Sequence, residues 1–315
     1  MELIGLTIQV LILIIGFVLL IKGSDFFVDG SSNIAYILKI PTLIVGLTIV
    51  AFGTSAPEAA VSITSSLSGS NALAVSNVIG SNLFNILIII GICALLNELE
   101  IKRIVLTKDL PFLVIVTLIV SAFILIGWQI TQFEGIFLLI LIIAYVCYLV
   151  YSARKSKAGS EKTEPKMGLL RSIIYIVLGI IAIILGGNFV VDSASYIAIA
   201  LGMSETLVGL TIVAIGTSLP ELVTSLTALK KGETELIIGN VIGSNIFNIL
   251  FVLGASSAIS AIPVNPNMLL DIVIMIIVTV LCFIFAKTQD KFDKKEGIVL
   301  IILFIVYMAL AILRN

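Results

Sequence analysis

Residues Val45 to Glu58 read Val-Gly-Leu-Thr-Ile-Val-Ala-Phe-Gly-Thr-Ser-Ala-Pro-Glu, and the string returns at Val208 to Glu221 with changes only at Phe52/Ile215 and Ala56/Leu219. Each copy lies in a long apolar segment. Glu58 is the only charge between Thr42 and Ala94, and Glu221 the only one between Thr206 and Leu229. Both carboxylates are therefore expected at membrane depth, where an acidic side chain costs roughly 2.5 to 3.5 kcal/mol on insertion scales and must face protein, water or an ion. A protonated Glu that only hydrogen-bonds between helices is the bland alternative. The duplication and the neighbouring hydroxyls oppose it.

Outward from this motif the chain keeps the same character. Of its 315 residues 60% are hydrophobic and only 12% charged, in apolar runs of about 20, which excludes a soluble domain and makes an all-α polytopic membrane protein. Met1-Glu2 lacks a basic n-region and the apolar run continues to Ile21, so this segment reads as a first span rather than a cleaved signal. The net charge of −1 points to no nucleic-acid partner. Cys93, Cys147 and Cys282 are too scattered for a disulfide framework or thiolate metal site. The absence of His removes imidazole ligands, Ser-His pairs and His proton relays.

The expected spans run over about 3 to 37, 42 to 67, 72 to 96, 105 to 126, 133 to 152, 170 to 200, 205 to 229, 235 to 260, 268 to 286 and 297 to 313, ten transmembrane helices. Shifting the sequence by 163 residues pairs Asp29 with Asp192, Pro57 with Pro220, Asn77 with Asn240, Ser81 with Ser244 and Asn85 with Asn248. Glu134-Gly135-Ile136 then matches Glu296-Gly297-Ile298 at 162, which places the loss of one residue near the turn from the fourth to the fifth span. The chain thus divides into a first five-helix repeat at 1–152, a solvated linker at 153–169 and a second five-helix repeat at 170–315. An odd number of spans per repeat inserts the second half from the opposite side. Inverted repeats of this kind build many secondary transporters, with a site at their midplane interface.

Lys and Arg fall in alternate connections: Lys39; Lys102, Arg103 and Lys108; Arg154 through Arg171; Lys230 and Lys231; Lys287 through Lys295. The intervening connections carry none. The positive-inside rule then places the linker in the cytoplasm and both termini outside, in a multi-pass protein of the cell membrane.

Pro57 removes a helical donor, so the carbonyl of Gly53 is freed and the helix bends or unwinds. Thr54 and Ser55 precede Glu58 by four and three residues and share its face. Asn77, Ser81 and Asn85 form a polar stripe on the next helix, repeated by Asn240, Ser244 and Asn248. This all-oxygen set suits a hard cation, Ca²⁺ or Na⁺, and two carboxylates neutralise one Ca²⁺. Gly46, Gly80, Gly209 and Gly243 read better as helix-packing positions, and Asn82 and Asn245, one position off the stripe, as structural hydrogen bonders. Asp25, Asp29 and Asp192 either edge an ion path or solvate a helix end; Asp109 and Asp271 read as interfacial helix starts.

Gly53-Thr54-Ser55-Ala56-Pro57-Glu58 and Gly216-Thr217-Ser218-Leu219-Pro220-Glu221, each followed by Asn-Val-Ile-Gly-Ser-Asn, resemble the alpha repeats of sodium/calcium exchangers. The resemblance covers both halves. It implies that the second, third, seventh and eighth spans pack as a core around the cation sites while the long first and sixth spans slide across it. The ligands it implies are Thr54, Ser55, Glu58, Ser81 and Asn85 with Thr217, Ser218, Glu221, Ser244 and Asn248, plus the backbone carbonyls of Ala51 and Ala214. At Asn248 several relatives carry an Asp, so the likeness does not extend to potassium co-transport. The linker is too short to fold as a calcium-sensing domain.

The expected function is Na⁺/Ca²⁺ antiport by alternating access, with Ca²⁺ and Na⁺ as substrates, the lipid bilayer as surroundings, no cofactor and a monomer as the working unit. A Ca²⁺/H⁺ antiporter of the same superfamily is the nearest rival, and the hydroxyl pairs favour Na⁺ because a proton needs no cage. An intramembrane hydrolase lacks its residues, since there is no His and no Gly-x-Gly-Asp pair. A passive cation channel fits broken helices in inverted repeats less well than alternating access does.

Overall fold

The computed structural model describes residues 2–67, 72–156, 164–203 and 214–314, and these are almost entirely helical. In chain order the helices are α1 (Glu2–Leu38), α2 (Thr42–Thr54), α3 (Ala56–Leu67), α4 (Ala74–Leu96), α5 (Val105–Gly127), α6 (Gln132–Lys155) and α7 (Leu169–Ala200). There follow the short α8 (Ala214–Gly216), then α9 (Leu219–Lys230), α10 (Thr234–Ile259), α11 (Pro266–Gln289) and α12 (Lys294–Arg314). Among the described residues eight helices are long and apolar enough to cross a membrane, and α2 with α3 forms one more span bent by 48°. The expected boundaries hold to within a few residues. Of the seventh span, expected from 205, the part before Ala214 lies outside the described residues, so ten spans is an expectation of which nine are described.

Burial separates the helices into a centre and a rim. The most apolar window of α10 is 94% buried and that of α4 78% buried, against 11% for α1 and α12. A helix that is apolar all round and covered by protein belongs to the core, and one that leaves its apolar face open needs lipid to cover it. Ile8, Leu11, Ile14, Ile302 and Ile305 are among the rim residues at least half exposed.

Equivalent helices of the two halves run antiparallel. Gly16, Gly23 and Gly30 of α1 face Gly186, Gly179 and Ser172 of α7 in that order. A Cβ on Gly23 would stand 3.0 Å from the Gly179 carbonyl oxygen, so only glycine permits this approach. Other close approaches are exchanged between halves in the same way: Gly91 of α4 abuts Gly297 of α12, and Gly135 of α6 abuts Gly254 of α10. Two short ladders follow the rule. Strand β1 (Leu99–Glu100) pairs antiparallel with β4 (Lys291–Phe292), and β2 (Gln129–Ile130) with β3 (Ile262–Pro263).

The ladders relocate the lost residue. Leu99 lies opposite Phe292 and Ile130 opposite Ile262, which keeps the 163-residue shift at β1/β3 and sets it to 162 at β2/β4. Asp109 and Asp271 already stand 162 apart, so the loss falls in the connection after the third span and not at the later turn. Each acid lies near the start of its helix, as expected, and each is covered by protein. Asp109 is 2% exposed and accepts from the Tyr145 hydroxyl at 3.1 Å, while Asp271 is 8% exposed and accepts from Arg314 at 2.9 Å through each of its oxygens.

Candidate ion-binding site

Two helix breaks build the site. Pro57 and Pro220 cannot donate to the preceding turn, and the chain yields two residues earlier: Ser55 (φ −84°, ψ 9°) and Ser218 (φ −92°, ψ 4°) leave helical geometry at equivalent places. A new helix starts at once in each half, with Glu58 and Glu221 in its first turn. Unpaired amides and the helix dipole there favour a carboxylate. Both glutamates are fully buried.

Hydrogen bonds then cross between the halves in matched pairs. The Ser55 hydroxyl donates to Glu221 Oε1 at 2.8 Å and the Ser218 hydroxyl to Glu58 Oε1 at 3.3 Å. Thr54 donates to Asn240 Oδ1 at 3.1 Å and Thr217 to Asn77 Oδ1 at 3.5 Å. The Asn77 and Asn240 amides in turn reach the Glu58 and Glu221 backbone carbonyls at 3.3 and 3.4 Å. Below them Asn82 and Asn245 each donate to the other's backbone carbonyl, at 3.4 and 3.3 Å. Asn85 Nδ2 donates to Asn245 Oδ1 at 3.0 Å and Asn248 Nδ2 to Asn82 Oδ1 at 3.2 Å. The symmetry fails at the serines of the stripe: Ser81 donates to Glu58 Oε1 at 3.5 Å, whereas Ser244 donates to the Ala51 carbonyl at 3.4 Å.

What these bonds leave over is specific. Glu58 Oε2, Glu221 Oε2, Asn85 Oδ1 and Asn248 Oδ1 are buried and have no hydrogen-bond partner. They form two symmetry-related pairs. Each asparagine amide is held by the opposite half, which fixes its oxygen on the other side. Leaving a buried acceptor unmet costs about 1–3 kcal/mol, more when it is charged. No group of three or more His, Cys, Asp or Glu side chains is placed to hold a metal among the described residues, so the formal charge here comes from two carboxylates.

The expected site residues are thus brought together, with two qualifications of role. The Ala51 carbonyl already accepts from the Ser55 amide at 3.0 Å and from the Thr54 and Ser244 hydroxyls at 3.4 Å. Ala214 opens α8, three residues before Thr217. Gly46 and Gly243 are packing positions as expected, with Gly46 against Gly239 and Gly243 against Leu47 and Ala51. A Cβ on Gly80 meets nothing among the described residues, and Gly209 lies outside them. Sequence reasoning missed the π-helical turns at Asn85–Ile90 and Asn248–Val252, each begun by a site asparagine. Such a turn inserts a residue and re-aims the side chain, and only its recurrence at functional sites hints at it. Asp25 and Asp29 pair with Lys231 instead of reaching the site.

Comparison with known proteins agrees with this architecture. Over residues 8–153 and 171–313 the chain matches the family described as sodium/calcium exchanger protein. It is 30% identical to the sodium/calcium exchanger MaX1 of Methanosarcina acetivorans, covering 96% of this chain and 98% of the relative. It is 34% identical to the inner membrane protein YrbG of Escherichia coli (strain K12), covering 95% of each. The solved structure of the sodium-calcium exchanger NCX_Mj soaked with Na⁺ and Sr²⁺ superposes with a TM-score of 0.86 at 30% identity, over 96% of this chain and 98% of that one. Both motif copies and the crossed bonds between them fall inside the matched segments, and the chain belongs to the sodium/calcium exchanger family.

Proposed function

We propose that the protein exchanges Na⁺ for Ca²⁺ across the membrane by alternating access, with the ions bound midway between its inverted repeats. The family is one of antiporters and not of enzymes, which removes the hydrolase reading. The observation that carries the proposal is the quartet of partnerless buried oxygens, Glu58 Oε2, Glu221 Oε2, Asn85 Oδ1 and Asn248 Oδ1. Two carboxylates and two amide oxygens suit a hard divalent ion. The hydroxyls of Thr54, Ser55, Thr217 and Ser218 act as donors in their hydrogen bonds, so each oxygen keeps a lone pair for a monovalent cation beside the carboxylates. Ser81, Ser244 and the carbonyls of Ala51 and Ala214 complete the proposed ligand set. Ser244 and Thr54 must turn away from Ala51 before its carbonyl joins.

Proton coupling is the second reading, because a proton also satisfies a lone carboxylate oxygen. It leaves Asn85 Oδ1 and Asn248 Oδ1 without a partner, which favours Na⁺. Calcium uptake into proteoliposomes distinguishes the two: an outward Na⁺ gradient should drive it and a pH gradient alone should not. Uptake driven by the pH gradient in Na⁺-free medium would replace Na⁺ by H⁺.

A further inference from the structure

The two helices that lead away from the site are repeat counterparts in different surroundings. Every residue of α9 from Leu219 to Leu229 is buried or half-buried. The helix packs along α1, where the Ser24 and Thr224 hydroxyls meet at 3.4 Å. Its counterpart α3 leaves Ala60, Val61, Thr64 and Leu67 exposed and makes no comparable packing against α7, the counterpart of α1, among the described residues.

Charge marks the same difference. Just past the end of α9, Lys231 Nζ lies 2.8 Å from Asp29 Oδ1 and 3.5 Å from Asp25 Oδ1, and donates to the Asp25 carbonyl at 2.8 Å. Farther along α1 the Tyr36 hydroxyl donates to Glu233. The 163-residue shift puts Ser68 at the place of Lys231, Ser70 at that of Glu233, Asn188 at that of Asp25 and Ile199 at that of Tyr36. Only Asp192 survives as a counterpart, of Asp29. One half has a charged fastening between its long helix and its site helix, and the other half lacks the residues to make one.

We propose that Lys231, gripped by Asp25 and Asp29, is a latch that holds the passage between α1 and α9 shut and so sets the side to which the site opens at rest. The inference rests on alternating access by this chain. Two repeats with identical contacts would leave the two orientations equal in energy, whereas contacts made in only one of them bias the population toward it. Opening on the Lys231 side parts α1 from α9 and breaks the latch. Closing the other side forms nothing equivalent.

The test reads accessibility. In a background with Cys93, Cys147 and Cys282 replaced by Ala, Thr64→Cys and Thr227→Cys place one thiol at counterpart positions of α3 and α9. In opened membrane vesicles a soluble maleimide should label the Thr64→Cys protein readily and the Thr227→Cys protein slowly. Adding Lys231→Met should raise Thr227→Cys labelling roughly fivefold, the scale expected for losing partly exposed ion pairs. It should also slow Thr64→Cys labelling. The charge swap Asp29→Lys with Lys231→Asp should restore protection. An unchanged rate in Lys231→Met would overturn the latch, as would a raised rate that the swap does not reverse, since that is general loosening. No flux enters this readout: a protein that shows the latch yet moves no calcium on a Na⁺ gradient counts against the exchange reading alone.

Discussion

Replacing Glu58 by Gln would keep an oxygen for the Ser81 and Ser218 hydroxyls but turn an amide donor toward the place where Oε2 now has no partner. A donor repels a cation, and one compensating charge of two is gone. With an acidic group at depth worth roughly 3 kcal/mol, calcium affinity should fall on the order of a hundredfold. Glu221→Gln should do the same, because Ser55 binds its other oxygen in the matching way. Na⁺-driven calcium flux near the wild-type rate in either folded variant would rule this out. Asn248 makes the complementary case. Its amide is spent on Asn82 and its oxygen is free, so it offers a neutral ligand. With charge from two carboxylates, one Ca²⁺ saturates the site, and flux should proceed equally in K⁺-free medium. Asn248→Asp adds a third charge and removes the donor to Asn82; it should slow release of calcium or introduce K⁺ sensitivity. A wild-type protein that moves calcium only when K⁺ is added would sink this reading.

At the scale of elements, the contact that tolerates least change is α1 against α7. Gly23 has the Gly179 carbonyl and the Ala182 Cβ within 3.0 Å of where a Cβ would stand, and backbone cannot step aside as a flexible side chain can. Gly23→Leu should lower stability by roughly 1–3 kcal/mol, the range of overpacking in a filled core. Gly168→Ala, where a Cβ meets nothing among the described residues, should be silent. Unfolding midpoints of both variants in detergent check the contrast, and equal midpoints would show that the helix pair is not held by close approach. The spans, the inverted repeat and the broken second helix were legible in sequence because hydropathy, a gapless shift and a proline each act locally. The β1/β4 and β2/β3 ladders were not, since two residues carry no period. Nor was the pairing of Asp25 and Asp29 with Lys231, about 200 residues away, which depends on how the halves dock. The π-helical turns at Asn85 and Asn248 were hidden for another reason: Asn-Ile-Leu reads as ordinary helix, and the extra residue is absorbed by packing between α4 and α10.

Across the whole molecule the basic connections gather on one face. Tyr36, Lys102, Glu233 and Glu235 join the first, third and seventh connections there through Tyr36 to Glu233 and Lys102 to Glu235. The ladder of β1 with β4, tightened by Lys291 on Glu98 at 2.7 Å, adds the connection before α12. Asn33 draws in the end of the linker by accepting from the Lys166 and Met167 amides at 2.7 and 3.2 Å. Opposite lie β2 with β3, Gln132 donating to the Ala258 and Ile259 carbonyls, and Arg314 on Asp271. A face that collects Lys and Arg from every second connection belongs on the cytoplasmic side, where anionic lipid and the insertion machinery retain it. Arg314, on the other face, is paired with a buried acid and adds no free charge there. The orientation we propose therefore puts the linker inside the cell and both termini outside. In a background with Cys147→Ala, a membrane-impermeant thiol reagent applied to intact cells should label Asn267→Cys, in the first turn of α11, and should reach Glu164→Cys, at the end of the linker, only after lysis. Both positions are exposed, so access to each is decided by the bilayer and not by packing. Labelling of Glu164→Cys from outside, with Asn267→Cys protected, would invert the protein and with it the side that the Lys231 latch closes.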